Sequence, residues 1–322
     1  MDDGPPLAAL TAARSNRFES AARALSAPLL MFGAALLFSL VAVCVKWASA
    51  SYNAGELVFY RSLIGALFIA ALTRYRGTTL RSTVPAMHFW RSASGVASLT
   101  LWFYAIGGLP IATAMTLNYM SSVWMALFLL GGSVLLGAAR VDGRLVATVL
   151  AGFAGVALVL RPTLEQQQLW HGLAGLLSGL TAAMAYLQVT ALGRAGEPEV
   201  RIVFYFSLGG LLAGAAWMVL QGAHAHTARG VALLLAIGLL ATAAQVMMTR
   251  AYRIGRTLSN ASMQYLGIVF SFIFGVLLFD DPVTWTALAG MVLIVAAGLA
   301  ATLLRTNRQS EIADTRSPPH EI

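Results

Sequence analysis

Long, almost unbroken apolar runs alternate along this chain with short polar connections, without the period-two alternation of half-buried strands. A membrane-spanning helix needs roughly 20 mainly apolar residues. Ten segments meet that length: 28–49, 54–73, 88–107, 110–131, 144–161, 170–192, 201–221, 230–250, 257–279 and 282–304. Several connections are tight. Gly107-Gly108-Leu109-Pro110 turns the third segment into the fourth, with Pro110 suited to a first helical turn, and Asp280-Asp281-Pro282 reads as the N-cap and N1 proline of the tenth. Residues 1–27 carry Asp2, Asp3, Arg14, Arg17, Glu19 and Arg23 and lack a signal core, so they are expected to form a cytoplasmic tail; the first apolar run is too long for a cleaved signal. Residues 305–322 are polar and expected to be a disordered cytoplasmic tail. The fold class expected is an all-α integral membrane protein of ten transmembrane helices.

Composition agrees. Only 11% of the 322 residues are charged, against about 25% in a soluble domain, while 58% are hydrophobic. The net charge of +8 raises the question of a nucleic-acid partner, but the placement of the charges gives another cause. With the N-terminus inside, 17 of the 21 Lys and Arg residues fall on the inner side, Arg91 among them. Only Arg161 and Arg229 fall outside, and Lys46 and Arg61 lie within spans. That is the positive-inside bias of a membrane protein with both termini cytoplasmic, and no nucleic acid is needed to explain it. Cys44, the sole cysteine, excludes an intrachain disulfide and reads as a small buried hydrophobe.

The two halves of the chain resemble each other. Val58-Phe59-Tyr60-Arg61-Ser62-Leu63-Ile64-Gly65 and Val203-Phe204-Tyr205-Phe206-Ser207-Leu208-Gly209-Gly210 are identical at six of eight positions, at an offset of 145. At an offset of 146, Thr116-Leu117-Asn118-Tyr119-Met120 matches Ser262-Met263-Gln264-Tyr265-Leu266 in chemistry; the rival register of 148, pairing Tyr104 with Tyr252, needs a larger shift. Repeats of five spans (28–161 and 170–304) cross the membrane in opposite senses. Such inverted repeats recur in secondary transporters, with the substrate site at mid-membrane between them.

On these residues the chain resembles the drug/metabolite transporter superfamily, in particular its ten-helix EamA-type members. The resemblance covers about residues 28–304. It rests on Phe59-Tyr60-Arg61, on the Ala105-to-Ala114 stretch, and on Gln264-Tyr265-Leu266-Gly267-Ile268-Val269-Phe270 running into Leu277-Leu278-Phe279-Asp280-Asp281. Family members often carry Gly-Glu where this chain has Asp280-Asp281, and near Asp142-Gly143 the usual glutamate is missing and several residues are added. The resemblance implies two five-helix repeats and a transported metabolite or drug.

Ionisable and polar groups within spans are the candidates for function. Arg61 lies about 10 Å into the second helix from its outer end; it reads either as a carboxylate clamp or as a structural ion pair, and its repeat mate is Phe206. Lys46 reads either as an anchor that snorkels to the interface or as a partner of Glu56 across the loop 50–53 in an outer gate, and Glu56 is the best candidate for proton coupling. Asn118, Tyr119, Gln264 and Tyr265 occupy equivalent repeat positions and should converge at mid-membrane, with Trp102, Trp124 and Phe270 as apolar walls. Gln245, Tyr186 and Gln188 are further candidates. His224-Ala225-His226 reads as a solvated loop, since two histidines without a third ligand do not make a metal site. Ala151 to Gly155, Gly290 and Gly298 suit close packing of helices.

The chain has no P-loop, no HExxH and no GxSxG motif, so neither ATP use nor enzymatic chemistry is expected, and no cofactor is implied. The reading is a secondary transporter of the bacterial inner membrane, monomeric or homodimeric. It moves a small polar or amphipathic metabolite (amino acid, carboxylate, amine or vitamin) by alternating access, and export is favoured over import. Protons or the substrate's own gradient supply the energy. The alternatives are an importer of the same fold and a non-transporting membrane scaffold or sensor.

Overall fold

A computed structural model describes residues 7–75, 77, 79–135, 143–160, 166–255, 260 and 263–315, and every regular element among them is a helix. In chain order these are α1 (Leu7–Ala48), α2 (Ala54–Tyr75), α3 (Pro85–Gly108), α4 (Ile111–Tyr119), α5 (Ser121–Leu135) and α6 (Gly143–Leu160), followed by α7 (Gln166–Arg194), α8 (Glu199–Gln221), α9 (Ala228–Ile254), α10 (Leu266–Phe279) and α11 (Trp285–Thr315). Five of them, α1 from Ala27 onward, α2, α7, α8 and α9, are each long and apolar enough to cross a bilayer. Their outward faces carry exposed Leu67, Phe68, Leu212 and Leu239, which only lipid solvates comfortably. The protein is an integral membrane protein.

Each expected span has its helix, with instructive departures. The stretch expected as an N-terminal tail is helical from Leu7 and continuous with the first span. Its alanines and arginines are strong helix formers, and no glycine or proline interrupts them before Pro28. At the other end α11 carries on to Thr315 through what was expected to be disorder. The fourth span, expected as one helix, is two: α4 ends at Tyr119 and α5 starts at Ser121. At the joint the Met120 N–H is shared between the Thr116 and Leu117 carbonyls at 3.2 and 3.3 Å. The ninth span, expected over 257–279, is helical at Asn260 and Met263, turns at Gln264–Tyr265 and runs on as α10 from Leu266; residues 256–259, 261 and 262 lie outside the described residues. Asp280 and Asp281 do not cap the last helix. Asp280 closes α10 in the left-handed conformation (φ 51°), and the hydroxyl of Thr284 accepts the Ala287 N–H at the start of α11.

Side by side, α1 packs along α9, α3 along α7, α2 along α8 and α6 along α11, while α4 bears on α7 and α10. The α2–α8 pair is antiparallel: Gly55 faces Trp217, Phe59 faces Gly214, Ser62 faces Gly210 and Gly65 faces Ser207. These small residues bring the two backbones together, which is how helices associate where lipid offers no hydrophobic drive. Gly155 on α6 meets the Gly290 carbonyl and Ile294 on α11, so these two of the small residues expected to pack do so within the chain. At the centre stands α4, all nine of its residues buried. Gly179 on α7 lies against its last turn. A Cβ there would sit 2.6 Å from the Leu117 carbonyl oxygen and 2.9 Å from that of Asn118, so glycine is what admits the interrupted helix.

Candidate functional site

Where α1, α2, α3, α4, α7, α8 and α9 face one another, the bundle holds a narrow pocket lined by residues of all seven. Seven residues singled out from sequence line it: Arg61, Trp102, Asn118, Tyr119, Tyr186, Gln245 and Gln264. Trp124 and Tyr265 do not. Trp124 is six residues past Asn118, about 120° around a helix, and packs edge-on against Phe153 at 5.1 Å. Tyr265, beside the turn that interrupts the ninth span, is buried and faces an apolar groove between α10 and α11 instead. Phe270 meets Phe32 rather than the cavity, and Gln188 is occupied by Ser94 at 3.3 Å.

Some of the polar groups in the cavity are already partnered. Asn118 donates through Nδ2 to the Ser178 hydroxyl at 2.9 Å, and Ser98 donates to the Ser178 carbonyl at 2.9 Å. Gln264 donates to Tyr252 at 3.3 Å, and the Tyr252 ring stacks on Tyr186 with centroids 5.4 Å apart. What remains open is more telling. The Gln264 Oε1 and Trp102 Nε1 atoms are buried with no hydrogen-bond partner among the described residues.

The dominant feature was half visible in the sequence. Arg91, counted there among the solvated inner-side anchors, is only 2% exposed and lines the cavity together with Arg61. Both guanidinium groups lie over the ring of Phe206, the Arg61 carbon at 4.9 Å and the Arg91 carbon at 4.3 Å from its centroid. Gly95, one turn along α3, leaves the room that the Arg91 head group takes; a Cβ there would collide with it. The Nε of each arginine and Nη1 of Arg91 have no hydrogen-bond partner among the described residues, and no carboxylate lines the cavity. A cation–π contact offsets part of the cost of burying a charge, but it leaves these three nitrogens without an acceptor. The missed signal is periodic. Arg91, Gly95, Ser98 and Trp102 fall at intervals of four, three and four residues, forming one polar and small stripe along an otherwise apolar span.

The two ends of the bundle are closed by carboxylates. At one, Asn53 and Glu56 form a reciprocal capping box for α2: Glu56 accepts the Asn53 N–H at 2.8 Å and Asn53 accepts the Glu56 N–H at 3.0 Å. Glu56 also accepts the His224 N–H and contacts its Nδ1, both at 2.7 Å. The gate reading of Lys46 and Glu56 as a pair is therefore not met. Lys46 instead donates to the Leu109 carbonyl at 2.6 Å, close to Asp281, which accepts the Ile111 N–H at 3.0 Å. The loop of His224 and His226 is exposed yet tethered, His226 contacting Tyr60 at 2.7 Å and Tyr52 at 3.2 Å.

At the other end Glu197 is buried between α7 and α8. It accepts from Ser82 at 2.8 Å and Arg201 at 2.9 Å, and lies 3.3 Å from His88. Burial alone would raise the Glu197 carboxyl, but the hydrogen bonds from Ser82 and Arg201, with His88 close by, prevail and hold it below its ordinary value. A carboxylate so depressed contributes stability above its unfolded pKa of about 4.3, and that contribution is lost as the pH falls through the lower folded value. Purified wild-type protein is thus expected to be more heat-stable than Glu197→Gln at pH 7, with the gap closing towards pH 3. A gap independent of pH would contradict this.

Compared with known proteins, residues 25–161 match the EamA-like transporter family. The chain is 34% identical over 283 residues to a pseudopaline exporter of Pseudomonas aeruginosa (strain UCBPP-PA14), covering 88% of this chain and 97% of that protein. It is 28% identical over 238 residues to a riboflavin transporter of Rhizobium johnstonii, covering 71% and 75% respectively. A solved structure superposes with a TM-score of 0.63 over 88% of this chain and 99% of its own, at 21% identity, which speaks for the fold alone. With an arginine-lined pocket inside an all-helical membrane bundle and these relatives, the chain belongs to the EamA-like transporter family and is a transporter of small metabolites.

Proposed function

We propose that this chain exports a small carboxylate-bearing metabolite across the inner membrane by alternating access, and that the substrate's carboxylates lie between Arg61 and Arg91. The observation that carries the reading is the pair of buried guanidinium groups with unpartnered N–H donors in a cavity lined by no carboxylate. Two uncompensated positive charges in a low-dielectric interior are costly when the site is empty. An anion with two acceptor groups removes that cost, and guanidinium binds carboxylate through two parallel bonds. Two arginines favour a dicarboxylate over a monocarboxylate. Trp102 and the Gln264 oxygen supply a donor and an acceptor for the rest of the molecule. Relatives that export pseudopaline or carry riboflavin support a small metabolite, and the first supports export.

The architecture we infer is ten spans in two inverted repeats, 28–161 and 170–304, with both termini cytoplasmic. The helix partners support it. Shifting each span by five exchanges the α1–α9 pair with α7–α3 and leaves the α2–α8 and α6–α11 pairs unchanged. Ser62 on Gly210 and Gly65 on Ser207 are likewise exchanged, and Arg61 meets its own mate Phe206. Both central spans are interrupted near their equivalent polar residues, at Met120 and at Gln264–Tyr265, a device transporters use at the substrate site. The described residues that line the cavity all come from one chain, so a monomer suffices and a homodimer would carry two paths. Energy comes from the proton gradient or from the substrate's own.

The test compares metabolites in cells and medium with the protein overproduced, absent, or carrying Arg61→Ala. The reading expects an acidic compound enriched in the medium only with the intact protein. Enrichment inside the cells would mean uptake, and no moving compound would favour a scaffold.

A further inference from the structure

The two buried carboxylates at the mouths of the bundle share a design that neither helix capping nor substrate binding requires. Glu56 follows the connection between α1 and α2 and takes hold of His224 in the connection between α8 and α9. Glu197 sits in the connection between α7 and α8 and takes hold of Ser82 before α3 and His88 in its first turn. Under the five-span shift these are the same two connections exchanged. Because α2 and α8 are antiparallel, the clusters lie at opposite ends of α8, separated by its 23 residues, or about 34 Å. Both carboxylates are buried to within 4%.

Each cluster is also joined to the cavity along a single helix. His88 precedes Arg91 by one turn on α3, and the His88 ring lies on Tyr205, next to Phe206, at 4.4 Å. At the other end Tyr60, which contacts His226, is adjacent to Arg61 on α2. An anion bridging Arg61 and Arg91 therefore pulls on the two helices whose ends the clusters tie down.

Resting on the transporter reading above, we propose that Glu197–His88 and Glu56–His224 are the two latches of alternating access, each closing one mouth of the cavity and each released in turn. Arg201 belongs to the first latch: it holds Glu197 and, through Nη2, the Thr79 carbonyl at 3.1 Å, so α8 and the strap before α3 move together. Asn53 and the Tyr52–His226–Tyr60 contacts belong to the second.

The test is the sidedness of access to the cavity. In a Cys44→Ser background, Ser98→Cys places one thiol on the cavity wall, and a membrane-impermeant maleimide is applied to right-side-out and to inside-out vesicles. Removing a charge-assisted hydrogen-bonded pair shifts a two-state equilibrium about tenfold. Glu197→Ala is expected to raise labelling by up to about that factor from the face carrying the α7–α8 turn and to lower it from the other face; Glu56→Ala does the reverse. His88→Gln and His224→Gln break the same contacts from the other partner and must reproduce each pattern. A protein that merely loosens labels from both faces alike. Equal labelling from both faces in both members of a pair, or no change in either, overturns the latches. The assay reads access and not cargo: unchanged sidedness with intact carboxylate transport condemns the latches alone, whereas correct sidedness without carboxylate transport condemns the substrate reading.

Discussion

Replacing Arg91 with glutamine is expected to weaken substrate binding by about two to three orders of magnitude while making the empty protein more heat-stable. The two effects share one cause. Arg91 is buried over Phe206 with two nitrogens unpartnered, and Arg61 presses a second positive charge on the same ring. Losing one member of a desolvated charge pair costs about 2–5 kcal/mol, and each 1.4 kcal/mol is tenfold in affinity. In the empty cavity, however, removing an uncompensated charge relieves a penalty. Arg61→Gln should behave alike. The double substitution should cost less than the sum of the two, since both groups bind one ligand. Lysine should rescue either position poorly, because an ammonium can neither lie flat on Phe206 nor grip a carboxylate with two parallel bonds. Thermal unfolding of purified protein with and without ligand checks both signs. A variant that loses binding and stability together would mark the arginines as structural.

The second large effect concerns the contact of α2 with α8. Gly214→Leu is expected to destabilise the fold by about 3 kcal/mol or more, the upper end of overpacking costs. A Cβ at Gly214 would lie 2.7 Å from the backbone nitrogen and Cα of Phe59, so relief requires moving a helix and not just a side chain. Gly131→Ala on α5 is the control. Nothing lies within 4 Å of that Cβ, and exchanging a helical glycine for alanine gains up to about 1 kcal/mol. Size-exclusion melting curves in detergent should separate the two variants clearly. Equal curves would deny that close α2–α8 packing holds the bundle.

Much of the fold and part of the site could be read from the chain. Length of apolar run placed the helices, because a bilayer imposes one length on every span. It could not foresee the breaks at Met120 and at Gln264–Tyr265, since no glycine or proline stands at either point; neighbouring helices stabilise the irregular turns. Repeat equivalence brought Asn118 and Gln264 to one cavity, but Tyr265 and Trp124 turned away, since a one-residue step rotates a side chain by about 100°. Arg91 was misread because the inner ends of spans are where solvated arginines gather, and burial at the first turns of α3 depends on α8 lying against it. The Lys46–Glu56 pair failed for a similar reason. Each residue found a partner more than 50 residues away, in loops whose proximity only the packed helices create.

The central claim is that Arg61 and Arg91 hold an anion in transit. It is tested most directly by counterflow in proteoliposomes, using a series in which each dicarboxylate is paired with its monoamide and uncharged diamide. The account expects exchange to fall stepwise along each series, to about a hundredth or less for the diamide, with the preference abolished in Arg61→Gln and Arg91→Gln. Exchange that is indifferent to the carboxylates, or a preference that survives the loss of both arginines, would contradict it.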